Sequence, residues 1–313
     1  MTQIDGAVLS IAISTAFELE QTCFAASLSG LYRSDDGGQT WRPMVQSEER
    51  VAILAVAMSP DYVSDRAVFA GLSGGVMRSW NGGETWAAGV LPPPPPTVTT
   101  VVLSPSYAKN STLFAGTDAD GVFRSGDRGV SWESWNFGLL DRSVLSMVVS
   151  AAHEQDELLF VGTPSGLFRS MNGARAWREV DLPIGSAAIL CLAISPDFAT
   201  DGLLYAGTES HGLLISKHGQ QWSSIGADVL KGSINVITLS PHFPAEPDIL
   251  VATEHGLHIS HDYGDSWAPW AASTGIMALA APHGLSGRTP ILAGLADGGV
   301  QFITMSRRSI IPN

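Results

Sequence analysis

The chain has 313 residues, 45% hydrophobic and 15% charged, with 33 glycines and 18 prolines, a composition that suits a folded, turn-rich β protein. Its net charge of −13 and its three lysines (Lys109, Lys217, Lys231) argue against nucleic acid or an anionic membrane surface as partner and favour basic ones. No apolar run approaches the ~20 residues that span a bilayer, and the N-terminus lacks the basic stretch of a secretory signal, so a soluble, cytoplasmic protein with no membrane partner is expected.

Taken in order, the chain alternates short apolar runs with turns. Runs at 8–14 and 22–27 have the Val, Ile and Leu content and Gly/Ser boundaries of strands. They lead into GLYRSDDGGQTW at 30–41. The order then repeats. Runs at 53–59 and 67–72 precede GVMRSWNGGETW (75–86), and runs at 98–104 and 112–117 precede GVFRSGDRGVSW (121–132). Later copies are GLFRSMNGARAW (166–177), GLLISKHGQQW (212–222) and GLHISHDYGDSW (256–267), each behind two apolar runs. A seventh pair, 276–282 and 291–295, is followed by GGVQFI at 298–303. The closing tryptophans, Trp41, Trp86, Trp132, Trp177, Trp222 and Trp267, are 45, 46, 45, 45 and 45 residues apart.

Four short strands, a to d, per ~45 residues is the signature of a propeller blade. Seven a-type runs predict an all-β fold, a seven-bladed β-propeller with four antiparallel strands per blade, forming one domain over 1–313. Strand a carries small residues at alternate positions, such as Ser10 and Ala12 or Cys191 and Ala193, as crowding at the axis requires. Strand b repeats a glycine at Gly71, Gly116, Gly162, Gly207 and Gly294, implying close approach of another backbone or a large ring. The Trp is expected in strand d. Counting from Gly299 puts the seventh strand d at Ile310, so the C-terminus is expected to close the ring; residues 1–4 are the alternative. Cys23 and Cys191 lie in apolar strand patterns and are expected to be buried free thiols.

The octapeptide ending at Trp41, SDDGGQTW, matches S-x-D-x-G-x-T-W and resembles the Asp box, or BNR repeat, of the sialidase-like propeller superfamily. The boxes at 125–132 and 260–267 keep the pattern with Ser for Thr, and 79–86 has Asn81 for Asp. The box at 170–177 is degenerate, with Asn172, Ala174 and Ala176, and the one ending at Trp222 is a residue short. The resemblance implies that boxes are structural turns on the face away from the functional one. Asp accepts backbone N–H bonds there, and Gly takes positive φ. The a–b connections containing Tyr62, Tyr107 and Phe198 share that face and read as turns with an aromatic anchor. Arg33, Arg78, Arg124 and Arg169 recur at one blade position each, so they cannot converge on one ligand and are expected to pair structurally.

Function is therefore sought on the opposite face, in the b–c and d–a loops, where blades differ. The b–c loops offer Asp118 and Asp120, Glu209 and His211, Glu254 and His255, and Asp297; the d–a loops add Arg50 and Arg142. These are the candidate ligand-binding residues. They could engage a protein, a cationic small molecule or a divalent metal, although no ligand spacing marks a metal site and no cofactor is expected. The run at 91–96, LPPPPP, predicts polyproline II, as a rigid spacer or a docking ligand. Trp135 and Trp270 are candidates for partial exposure near the rim. An enzymatic alternative is a glycoside hydrolase using a pair such as Asp118 or Asp120 with Glu209, or another reaction in a carboxylate/His pocket. It lacks the arginine cluster and Tyr–Glu pair that a sialidase resemblance would require. Single propellers of this kind also resemble the photosystem II assembly-factor family, which implies a non-catalytic scaffold, the reading favoured here.

Overall fold

A computed structural model describes residues 4–44, 51–285 and 290–304. It contains seven separate sheets, each built from strands consecutive in sequence and antiparallel throughout. Strands a are Val8–Ile13, Ile53–Met58, Val98–Leu103, Ser146–Val149, Ile189–Ile194, Ile234–Leu239 and Ile276–Ala280. Strands b are Cys23–Ser27, Val68–Leu72, Leu113–Thr117, Leu159–Gly162, Leu203–Thr208, Ile249–Thr253 and Ile291–Leu295. Strands c are Gly30–Ser34, Gly75–Ser79, Val122–Ser125, Leu167–Ser170, Leu213–Lys217, Gly256–Ser260 and Val300–Ile303. Strands d are Arg42–Pro43, Ala87–Ala88, Glu133–Ser134, Arg178–Glu179, Gln221–Ile225 and Ala268–Ala271. The fold is a seven-bladed β-propeller. Six blades have four strands and the seventh has three among the described residues. The expected closing strand at Ile310 lies outside the described residues, as do residues 1–3 of the alternative. No helix is long and apolar enough to cross a membrane.

The blades close into a ring because strand a of each packs on strand a of the next, blade 7 on blade 1 included. The strand-b glycines make this packing possible. A Cβ at Gly71 would lie 2.8 Å from Val98 Cγ1, and one at Gly116 would lie 2.5 Å from Val144 Cγ1. One at Gly162 would meet the Ile189 carbonyl at 2.5 Å, and one at Gly294 would meet Val8 Cγ1 at 2.6 Å across the closure. The close neighbour is thus the residue opening the next blade's strand a, through its aliphatic side chain or its carbonyl. It is not an aromatic ring. Small polar residues in and beside strand a add inter-blade hydrogen bonds: Thr99 Oγ1 donates to the Val144 carbonyl (2.7 Å) and Cys191 Sγ to that of Ile234 (3.3 Å). Neither cysteine is in a disulfide, and burial pushes both thiols up to about 12.

The box face repeats the same bonds. In blade 1, Ser34 Oγ donates to Asp36 Oδ1 (2.7 Å) and accepts the Gly38 N–H (2.8 Å), while Asp36 accepts the Thr40 N–H (2.8 Å) and hydroxyl (2.5 Å). Asp127 and Asp262 do the same with Ser131 and Ser266. Burial alone would raise these three carboxyls, but the hydroxyl and backbone donors outweigh it and hold them below the usual carboxylate range. The Trp stands just before strand d in five blades and inside it only in blade 5, where Trp222 pairs with Ser216. The a–b turns become single helical turns in five blades: α1 (Phe17–Glu20), α2 (Tyr62–Asp65), α3 (Tyr107–Asn110), α4 (His153–Asp156) and α5 (Phe198–Asp201). The first residue of each is buried. Those of α2 to α5 stack edge-on against a strand-b aromatic of the preceding blade, as Tyr107 does on Phe69. Box and helix are tied together, since the box N–H of Gly82 donates to the Arg66 carbonyl (2.9 Å) and that of Gly173 to Glu157 (2.9 Å).

Candidate functional site at the loop face

The opposite face is built on a second repeated device. A buried threonine ends strand b in blades 3, 5 and 6 and bridges the b–c turn. Thr117 Oγ1 donates to the Gly121 carbonyl (2.8 Å) and accepts the Asp120 N–H (2.9 Å). Thr208 does this with Gly212 and His211, and Thr253 with Gly256 and His255. The residues between are pushed outward, so Asp118, Asp120, Glu209, His211, Glu254 and His255 are all exposed at turn tips. Asp297 is exposed at the equivalent place in blade 7 and Arg142 in the loop between blades 3 and 4. Arg50 lies outside the described residues.

Among the described candidates, the structure brings into direct side-chain contact only sequence neighbours: His255 Nε2 is 3.6 Å from Glu254 Oε1. Among the described residues no three His, Cys, Asp or Glu side chains group in a way that could hold a metal ion. The d–a loops are stitched to the turns. The Gly121 N–H donates to the Arg142 carbonyl (2.9 Å), and Asp141 accepts the N–H groups of Ser165 (2.9 Å) and Ser143 (3.1 Å). Burial would raise the Asp141 carboxyl, but these donors prevail and lower it. The neutral sector lies over blades 1 and 2, where the turns are Leu28-Ser29 and Ser73-Gly74 and the proline run crosses. That run is anchored by buried Leu91 and Pro96 and bends at Pro93 and Pro94, so it is not the continuous polyproline II rod expected.

One feature escaped the sequence reading. In six blades the ladder between strands a and b shifts register at the second residue of strand a, leaving Leu9, Leu54, Thr99, Leu190, Asn235 and Met277 outside the regular pairing. Leu145 occupies this place in blade 4. Such bulges re-aim a side chain. Strand a has strand b behind it and a neighbouring strand a on each side, so the solvent these residues see is that of the axis. Leu145 is 37% and Met277 40% exposed. Leucine or methionine fills five of these seven positions and Thr99 and Asn235 the other two, so an apolar collar interrupted in blades 3 and 6 lines the axial mouth on the loop face. Its only signal in the sequence is a leucine or methionine recurring beside the small residues of strand a.

The periodic arginines pair locally, within their blade or with the next blade's box, in place of converging on one ligand. Arg33 donates to the Gly82 carbonyl (2.6 Å) in the next blade's box and pairs with Asp35, and Arg124 stacks over Trp135, its guanidinium 4.6 Å from the ring centre. Trp135 is half-buried between Arg124 and Arg175, while Trp270 is buried in the core between blades 6 and 7, the packed alternative to exposure at the rim.

No protein-family model matches the sequence, and no curated protein is similar to it. Solved structures share the fold. An ancestral GH74 enzyme superposes with a TM-score of 0.75 at 16% identity over 98% of this chain and 46% of its own. The extracellular domain of the one-component system BT4673 from B. thetaiotaomicron gives 0.71 at 17%, over 96% of this chain and 40% of its own. This chain thus spans less than half the length of either. YCF48 bound to D1 peptide gives 0.69 at 14% identity, covering 99% of this chain and 95% of that one.

Proposed function

We propose that this propeller is a non-catalytic binding module that takes a cationic polypeptide segment on its loop face, with an apolar residue of the partner at the axial mouth. The observation that carries this reading is the juxtaposition of a largely apolar collar with acidic turns on blades 3, 5 and 6. A basic segment gains from those carboxylates at longer range, and burial of one side chain in the collar supplies non-polar affinity. The likeness to YCF48, a single propeller solved with a peptide bound, supports the binding mode without identifying the partner. A soluble, cytoplasmic setting with no nucleic-acid or membrane partner follows from the −13 charge and the absence of long apolar runs in the sequence. Hydrolysis has less support, because the candidate carboxylates stand exposed at the tips of separate turns and do not enclose a shared pocket.

Fluorescence anisotropy with labelled peptides tests this. A Lys/Arg-rich peptide bearing a Leu or Phe is expected to bind, more weakly as salt rises, whereas an acidic peptide of the same apolar content is not. Asp118→Lys with Glu209→Lys is expected to weaken binding about tenfold or more, two charge reversals each changing a pair interaction by up to about 1 kcal/mol. Equal binding of both peptides, or hydrolysis of aryl glycosides abolished by Glu209→Gln, would overturn the reading.

A further inference from the structure

Blades 1 and 4 each set two arginines directly opposite one another across strands c and d, Arg33 against Arg42 and Arg169 against Arg178. In blades 2 and 3 the partners of Arg78 and Arg124 are Ala87 and Glu133. Like charges so opposed repel. Blade 1 offsets this. Arg33 Nη2 is 2.6 Å from Asp35 Oδ1, and Arg42 Nη2 is 2.6 Å from Glu84 Oε1 of the next blade. A cavity of about 320 Å³ beside them is lined also by Asp36 and Thr40.

Blade 4 has a cavity of about 270 Å³ at the same place, and every offsetting group is gone. Met171 replaces Asp35, Asn172 replaces Asp36, Ala176 replaces Thr40, and the blade 5 box carries Gln220 and Gln221 where blade 2 carries Glu84. Among the described residues Arg178 has no hydrogen bond or ion pair, and Arg169 has one long bond, 3.5 Å, to the Gly219 carbonyl. Asn172 Oδ1 accepts the Ala176 N–H at 2.8 Å, which leaves its amide NH₂ free to donate. In blade 2 the matching Asn81 Nδ2 donates to Thr85 Oγ1 at 2.9 Å, an acceptor that Ala176 does not provide. Two guanidiniums and an amide donor thus line one open cavity with no carboxylate among its lining residues, on a chain of net charge −13.

We propose that this cavity on blade 4 is an oxyanion site for a phosphate or sulfate group, free or esterified, separate from the loop face and independent of what binds there. The anion would supply the negative charge that Asp35 and Glu84 supply in blade 1. Guanidinium forks match its oxygens bidentately, and exposed Met171 at the lip would contact the organic part of an ester.

Calorimetric titration with inorganic phosphate, sulfate and phenyl phosphate, at constant ionic strength, tests the proposal. One saturable site per chain is expected. Arg178→Ala, a change in an exposed strand-d side chain, and Met171→Asp, which restores a blade 1 carboxylate, are each expected to weaken binding about tenfold, the worth of one charge-assisted hydrogen bond. Removing the blade 1 offset with Asp35→Met, Asp36→Asn and Glu84→Gln is expected to raise the stoichiometry to two. Tighter binding of phenyl phosphate than of phosphate assigns an ester, and equal binding assigns the free anion. Non-saturable heats that are the same in wild type, Arg178→Ala and Met171→Asp overturn the site, as does acetate binding as tightly as phosphate.

Discussion

The two faces of this propeller use the same economy of means to opposite ends. On the box face, Ser, Asp or Asn and Gly make the same bonds in five blades, within their own repeat. On the loop face the threonine latch recurs in blades 3, 5 and 6, but the residues it holds do not. A latch that closes through backbone and hydroxyl leaves the tips free to vary without unfolding the turn. Structure is concentrated where the blades agree, and recognition is available where they differ.

That contrast can be broken or sharpened by substitution. The largest effect is expected where a repeat contact joins blades: Gly162→Val must displace the Ile189 carbonyl and is expected to cost about 3 kcal/mol by chemical denaturation, at the upper end for overpacking. Next, Asp127→Ala removes acceptors from Ser125 and from Ser131 N–H and hydroxyl and is expected to cost about 1–2 kcal/mol, with Asn172→Ala in the degenerate box costing less. If the two cost the same, the degenerate box is as strong as the full one. At the tips, Asp120→Asn and Glu254→Gln are expected to change stability by under about 0.5 kcal/mol while weakening the cationic peptide.

Acid titration reads the box face in a different way. Asp36, Asp127 and Asp262 are lowered in the folded state, so their contribution is full above the unfolded carboxylate value, about 3.9, and is lost as pH falls through the folded ones. Replacing all three with Asn should flatten the stability curve below about pH 4. His153 adds a smaller limb. It takes the aromatic anchor's place in blade 4, and burial lowers it below the ordinary imidazole range, so the fold favours its neutral form. Stability from that preference is present above about pH 6.5 and is lost as pH falls. His153→Phe is expected to reduce this loss below about pH 6.5, read as a Tm that falls less steeply with acid, the rest being carried by His258, which burial lowers as well.

What the sequence determined by itself is what recurs. The period, the seven blades, the structural duty of the boxes and the placement of Tyr62, Tyr107 and Phe198 all follow from spacing and composition, because each depends on contacts within one repeat or between neighbours in register. Tertiary structure decided what depends on relations between repeats. The strand-b glycines make room for the next blade's aliphatic side chain. The bulges at Leu9 and Met277 turn alternate strand residues toward the axis. Trp270 is buried between two blades. The unmatched arginines of blade 4 emerge only when two cavities are laid side by side. Periodicity encodes a blade's internal contacts, but which side chains meet across the ring is set by its closure, where residues far apart in the chain are forced together around one axis.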